Sequence, residues 1–350
     1  MSGPLRFGLV GAGNIASAYA QAFAGVEGAV LAAVADTRPE AARALANGLG
    51  CPAFASHVAL AAGCPLDAVV VCTPPATHAA ISLFFLGLGV HVLCEKPLST
   101  DLTSAWTMAW AARRSGTLFT MASKFRCVED VARAKSLVEA GEIGDVVQAD
   151  NCFTARVEMA SRWNSDPAVS GGGVLIDNGT HSVDLMRLFL GPLVDVQAVE
   201  GPRLQGLAVE ESVRLFVRNR RGALGCAELS WSLPREQESY LTLYGTRGVI
   251  EVGWRQSRWR PAGAGAWIPF GAGYDKVRAF SRQIDNFARA IRGEEDLLVT
   301  MEDALASVEV VEAAYRALRH SRWTPLGGDP QSFAPLAAFD RFNLPEGGRA

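Results

Sequence analysis

The sequence predicts an α/β protein in which a doubly wound parallel sheet is followed by a second domain carrying antiparallel strands. Three observations predict it. Strand and helix patterns alternate over residues 5–123, the strands there are continuously apolar, and apolar–polar alternation replaces them after residue 193. Leu5 to Val10 is an apolar run ending in Gly11, and residues 14–24 carry an Ala-rich helical pattern. Ala29 to Ala35 ends in Asp36 and is followed by a helix over Pro39 to Leu49. Leu66 to Cys72 is the third strand, Thr77 to Leu88 a helix and Val90 to Cys94 the fourth strand. A helix over Leu102 to Ser115 and the run Leu118 to Met121 complete the unit. Helices follow at Val128 to Ala140, stopped by Gly141, and at Thr180 to Leu190. The runs VRLFVRN, LGCAELSWSL and YLTLYGTRGVIEV between residues 193 and 254 read as strands with one wet face, separated by turns at Arg221-Gly222 and Gly245 to Gly248. Helices at Asp275 to Arg292 and Met301 to His320 close the domain. The expected division is an α/β unit over 1–123, a second α/β unit over 124–330, and an irregular Pro- and Gly-rich tail over 331–350, with no internal repeat.

Composition narrows the class. With about 150 residues to a typical domain, 350 residues exclude a single small module. An apolar share of 49%, a charged share of 20% and a net charge of −3 describe a globular chain with no polyanion-binding surface, so nucleic acid is not an expected partner. The stretch Trp254 to Arg260 interleaves aromatic and basic residues, but in so balanced a chain it reads as sheet alternation or a subunit contact. Seven cysteines, odd in number and never in C-x-x-C, sit mostly in apolar runs and read as reduced thiols. The N-terminus lacks a secretory pattern, and the longest apolar run, Ala79 to Val90, is too short for a bilayer. A soluble cytoplasmic protein without a membrane partner is expected. The five histidines, His57, His78, His91, His181 and His320, never pair with Cys or Glu at zinc-ligand spacing, so no metal site is expected. Glycine is in mild excess at 35 residues, and its placement matters more than its number.

Gly11-Ala12-Gly13-Asn14-Ile15-Ala16 fits G-x-G-x-x-G/A between the first strand and the first helix. Glycines there permit a tight turn and close backbone approach, so a pyrophosphate rests on the helix N-terminus. Asp36 ends the second strand, where a carboxylate accepts from the adenosine ribose hydroxyls and repels a 2′-phosphate. NAD is favoured; Arg38, a possible phosphate partner or a solvated helix-start residue, leaves NADP open.

Val71-Cys72-Thr73-Pro74-Pro75-Ala76-Thr77-His78, then Cys94-Glu95-Lys96-Pro97, then the run from Gly171-Gly172-Gly173 through Asp177, Asn178, Gly179 and His181 to Asp184 resemble, in order and spacing, the Gfo/Idh/MocA family of NAD(P)-dependent oxidoreductases. The resemblance spans about residues 5–320. It implies an N-terminal Rossmann domain and a C-terminal α/β domain with a large, mostly antiparallel sheet that often serves in oligomer contacts, here a homodimer or homotetramer. It also implies oxidation of a secondary hydroxyl, or reduction of the matching ketone, on a polyhydroxylated small molecule, a sugar, sugar derivative or cyclitol. By the same resemblance Lys96 is the active-site lysine, Thr73, Pro74, His78 and Glu95 lie toward the cofactor, and Arg126 matches a position often turned to substrate.

Oxidising a secondary alcohol requires a base for the hydroxyl proton while hydride leaves the same carbon. Lys96 follows the fourth strand at the carboxyl edge of the sheet, where such folds bind ligands, and its ammonium would hold the substrate oxygen. If residues 177–184 are the first turns of a helix, Asp177, His181 and Asp184 share one face at i, i+4 and i+7. His181 is then the candidate proton-transfer group, although Lys96 competes for that role, and a carboxylate one turn away would raise its proton affinity. Asp177 positions substrate or Lys96, or else caps the helix. Asn178 adjoins this face, and Asp184 is expected to act indirectly. Lys124-Phe125-Arg126 and Ser161-Arg162-Trp163-Asn164 supply polar and planar groups suited to a hydroxylated or anionic substrate, with Arg126, Arg162 and Trp163 singled out. The triplet Gly171-Gly172-Gly173 lets backbone approach ligand or acts as a hinge. Two rival functions share these residues: transient oxidation serving elimination or glycosidic cleavage, and a non-catalytic dinucleotide sensor.

Overall fold

The computed structural model describes residues 3–327. The tail expected over 331–350 lies outside the described residues. The first unit runs β1 (Leu5–Val10), α1 (Asn14–Phe23), β2 (Ala29–Ala35), α2 (Pro39–Leu49), β3 (Ala53–Phe54), α3 (His57–Gly63), β4 (Ala68–Val71), α4 (His78–Gly87), β5 (His91–Glu95), α5 (Leu102–Ser115) and β6 (Phe119–Ala122). Its six strands are all parallel, in the order β3-β2-β1-β4-β5-β6. Every residue of β4 and of β6 is buried, the pattern of strands covered on both faces. The short β3 and α3 escape a sequence reading because two residues show no period and α3 buries only Leu60.

The second unit runs α6 (Glu129–Glu139), β7 (Val146–Thr154), α7 (Pro167–Ser170), α8 (Val174–Leu190), β8 (Leu193–Glu200), β9 (Ser212–Asn219), β10 (Leu224–Ser230), β11 (Ser239–Gly245), β12 (Gly248–Gly253), β13 (Ser257–Pro261), β14 (Ile268–Gly271), α9 (Lys276–Ile291), α10 (Met301–His320) and β15 (Thr324–Pro325). Nine strands form one sheet in the order β14-β13-β12-β11-β7-β10-β9-β8-β15, antiparallel except where β7 meets β10. The aromatic-basic stretch supplies β13, with Arg258 and Arg260 stacked 4.6 and 4.8 Å from the Trp267 ring centre. One face packs on α8, whose buried Leu175, Val183 and Met186 share a core with Leu215, Ala227 and Leu243. α8 begins six residues earlier than the period suggests, because the small and polar residues 177–180 blur the apolar stripe.

The packing does not divide at residue 123. Phe280, Ile284, Phe287 and Ala288 of α9 share a core with Leu5, Phe7 and Tyr19, while Val299 and the start of α10 complete the opposite face of the six-stranded sheet. The segment after 124 thus returns to cover both sides of the first layer.

Candidate active site

β1 runs out at Gly11, whose φ of +99° suits glycine and whose added Cβ would lie 2.8 Å from the Cys72 carbonyl carbon and oxygen. A Cβ on Gly13 would meet nothing within 4 Å, so that side of the loop is open, and α1 has no side-chain cap. Unclaimed N–H groups at a helix start facing open space suit a phosphate. Asp36 Oδ2 accepts from Ala12 N at 2.7 Å and Oδ1 from Arg38 N at 2.8 Å and Nε at 3.3 Å. Burial opposes the charge, but these donors outweigh it and hold the carboxyl below its usual range. A groove of about 380 Å³ follows, lined by Gly11, Gly13, Asn14, Asp36, Arg38, Thr73 and Pro74 and, from the second unit, Trp163.

At the end of β5 the Lys96–Pro97 peptide is cis. Lys96 Nζ ion-pairs with the Asp177 carboxylate and donates to the Asp177 carbonyl at 3.1 Å, bringing the sheet edge and α8 together. Glu95 is buried; Oε1 accepts from Tyr19 OH at 2.8 Å and Oε2 from Lys96 N at 3.0 Å. Burial lifts its pKa, against the pull of Lys96 and Lys124. His181 lies one turn beyond Asp177, buried, its ring 4.9 Å from that of Phe125 and its Nδ1 without a hydrogen-bond partner. Burial and then the charges of Lys96 and Lys124 push its pKa well below the ordinary imidazole value, so it is neutral near pH 7.

Several expectations need correction. Asp177 does not raise the proton affinity of His181; its carboxylate is taken by Lys96. Nor is it a helix cap, since α8 starts at Val174 after Gly173. Arg126 does not face substrate: Nε donates to Asp184 at 2.9 and 3.0 Å and Nη1 to Asp303 at 2.7 Å and the Leu298 carbonyl at 3.1 Å. Asp184 anchors that buried network and also accepts from Ser123. His78 is buried with its ring nitrogens 2.8 Å from the Pro97 and Thr73 carbonyls, bracing two loops and not lining the groove. The Ile15 side chain packs against the first core, leaving its backbone to the glycine loop, and Asn178 Nδ2 donates to the Phe153 carbonyl at 3.3 Å. Glu95 contacts the interior rather than the groove. Arg162 is exposed, whereas its neighbour Trp163 lines the dinucleotide groove, not the Lys96 cluster. The glycine triplet packs against protein: a Cβ on Gly173 would strike the Glu210 carbonyl and one on Gly172 the Tyr315 hydroxyl.

Two features gain weight from the geometry. Trp254, 37% exposed, stands beside the rings of Phe125, Phe153, Tyr240 and Tyr274. Lys124, beside Arg126 in the sequence, is partly buried at the end of β6, and burial with the Lys96 charge drives its pKa down to about 8. Their side chains meet the site only through folding, and no spacing rule marks either of them.

A nucleotide groove at the carboxyl edge of a doubly wound sheet, with a lysine–carboxylate pair and a neutral histidine beside it, defines an NAD(P)-dependent oxidoreductase. The chain belongs to the Gfo/Idh/MocA oxidoreductase family. Residues 5–123 match that family's NAD-binding Rossmann fold, residues 131–251 its GFO/IDH/MocA C-terminal domain and residues 273–326 its C-terminal alpha/beta domain. The chain is 27% identical over 338 residues to the inositol 2-dehydrogenase of Rhizobium meliloti, covering 91% of this chain and 98% of that one. It is 29% identical over 300 residues to a D-xylose 1-dehydrogenase (NADP(+)) of Haloferax volcanii, covering 82% and 89%. GenD2 from gentamicin A biosynthesis, solved with NAD, superposes with a TM-score of 0.83 at 26% identity over 94% of this chain and 98% of that one.

Proposed function

We propose that this protein oxidises a secondary hydroxyl of a sugar, sugar derivative or cyclitol, or reduces the matching ketone. The observation that carries the reading is the Lys96–Asp177 ion pair with neutral His181 one turn further along α8, beside the dinucleotide groove. The relatives named inositol and xylose dehydrogenases support the substrate class. Gly11, Gly13 and Asn14 would hold the pyrophosphate and Asp36 the adenosine ribose. Thr73 and Pro74 line the far wall. The carboxylate of Asp36 favours NAD, while the exposed Arg38 beside it leaves room for the 2′-phosphate of NADP.

The bound nicotinamide supplies a hydride acceptor for alcohol oxidation. Lys96 Nζ donates to the substrate oxygen and stabilises the alkoxide as the O–H proton leaves. Asp177 holds Lys96 Nζ in place, at the cost of competing with substrate for its donors. A ring nitrogen of His181 receives the hydroxyl proton and returns it in the reverse direction. The ring of Trp254 offers an apolar wall to the C–H face of a sugar.

Replacing Lys96 with Met tests the assignment. NAD-dependent absorbance change with a panel of sugars and cyclitols should fall at least a thousandfold, with NAD affinity retained; turnover at the wild-type rate would refute it. We place the protein in the cytoplasm as a homodimer or homotetramer. The seven free cysteines fit a reducing compartment, and the sheet face bearing Val199, Leu224 and Tyr244 offers a self-complementary contact. Light scattering on the purified protein decides the assembly.

A further inference from the structure

Lys124 has no part in the chemistry above, yet it stands among the groups that do. Its Nζ lies 5.4, 5.8 and 5.9 Å from the ring centres of Phe125, Phe280 and Tyr274, and Phe125 is the ring that touches His181. Aromatic faces attract an ammonium but accept none of its three hydrogen bonds in the ordinary sense, and among the described residues no side chain or carbonyl takes one. The nearby charges do not supply the missing acceptor. Lys96 and Lys276 are cations, Asp177 is ion-paired with Lys96, and both Glu95 oxygens already accept from Tyr19 and the Lys96 amide. The ammonium is half-buried and still reached by water, so its open donors face the site where a ligand would complete them.

The chemistry of that ligand group follows from what surrounds the ammonium. A cationic substituent would add a fourth positive charge beside Lys96, Lys124 and Lys276. A phosphate would call for several converging donors, an arginine fork or a nest of backbone N–H groups, and neither accompanies Lys124. One ammonium beside aromatic rings matches a single carboxylate. We infer that Lys124 binds a carboxylate on the substrate, which makes the substrate class a polyhydroxylated acid, an aldonate or uronate, with Lys96 at the reacting hydroxyl. This inference rests on the proposed dehydrogenase reading.

The test compares acid and neutral partners of one carbon skeleton, D-gluconate against D-glucitol and D-glucuronate against D-glucose, with the full-length protein and NAD. The expected kcat/KM is at least tenfold higher for the acid of each pair. Lys124→Met should lower the acid-to-neutral ratio at least tenfold and Lys124→Arg should restore much of it, while NAD affinity, read by tryptophan fluorescence, stays within twofold. Equal turnover of the pair, an equal loss on both, or a loss of NAD affinity would overturn the inference and leave the dehydrogenase reading standing. Absence of turnover with any polyol, acid or neutral, would remove the dehydrogenase reading and this inference with it. Should Lys124→Met fail to fold, the wild-type ratios alone decide.

Discussion

Asp177 sits closer to the sheet edge than its place in a helix suggests, because it is the only carboxylate paired with Lys96 among the described residues. Changing it to Asn keeps the shape and removes the charge. The expected loss in kcat/KM is roughly 10- to 100-fold, in line with a hydrogen bond to a charged group, with NAD binding unchanged. A loss confined to NAD affinity would place Asp177 with the cofactor instead. His181 makes a second residue-scale prediction. The folded protein keeps it neutral, while the unfolded chain protonates it near pH 6.5, so its contribution to stability is present above that pH. That contribution drains away as pH falls toward the folded-state value, at up to about 1.4 kcal/mol per pH unit. Melting temperature measured from pH 7.5 to 5 should therefore fall less steeply in His181→Gln than in the wild type; parallel curves would contradict the assignment. The positions of Lys96, Asp177 and His181 were legible in the sequence because strand ends and helical spacing place them. Arg126 was not, because a guanidinium facing substrate and one clamped by Asp184 and Asp303 look identical until residues 126, 184 and 303 meet.

At the scale of elements, α8 carries both Asp177 and His181, so whatever fixes its start fixes the site. Glu210 does this from outside the helix: Oε1 accepts from Gly173 N at 2.9 Å, Leu175 N at 3.1 Å and Tyr315 OH at 2.7 Å. Gly173 lets the two backbones touch. Gly173→Ala puts a methyl against main-chain atoms that cannot rotate away, and should cost about 1–3 kcal/mol. Calorimetry should show the lowered melting temperature, and kcat should drop with it as the first turn of α8 shifts. Tyr315→Phe, which removes one donor from Glu210, should cost only about 1 kcal/mol. The glycine triplet was visible in the sequence, but its purpose was not, since its contacts come from residues 210 and 315. The parallel strands were legible for the opposite reason: burial on both faces leaves an unbroken apolar run. β7 hid because polar residues stand on both of its faces, Gln148 and Asp150 half-buried and Asn151 buried, which blurs the apolar–polar alternation.

Across the whole molecule, the six-stranded layer is completed by chain that lies far along the sequence. Tyr19 and Phe280 pack at 4.3 Å between ring centres, Gln283 Nε2 donates to Tyr19 OH at 2.9 Å, and Ser281 Oγ donates to the Ala22 carbonyl at 2.9 Å. A fragment of residues 1–123 would expose Phe7, Tyr19 and Phe23 to water, so it should melt without a cooperative transition, unlike the full chain. A sharp two-state melt of the fragment would show that α9 is dispensable. The alternation of strand and helix could be read from the sequence, but this return could not, because the amphipathic pattern of α9 says that one face is buried and not against what. Trp163 carries a last consequence of two units sharing one groove. An indole set against the dinucleotide channel emits where reduced nicotinamide absorbs, so the protein holds an optical gauge of its own redox state. The difference in emission between wild type and Trp163→Phe isolates that signal from the other tryptophans and lets hydride transfer be followed in a single turnover.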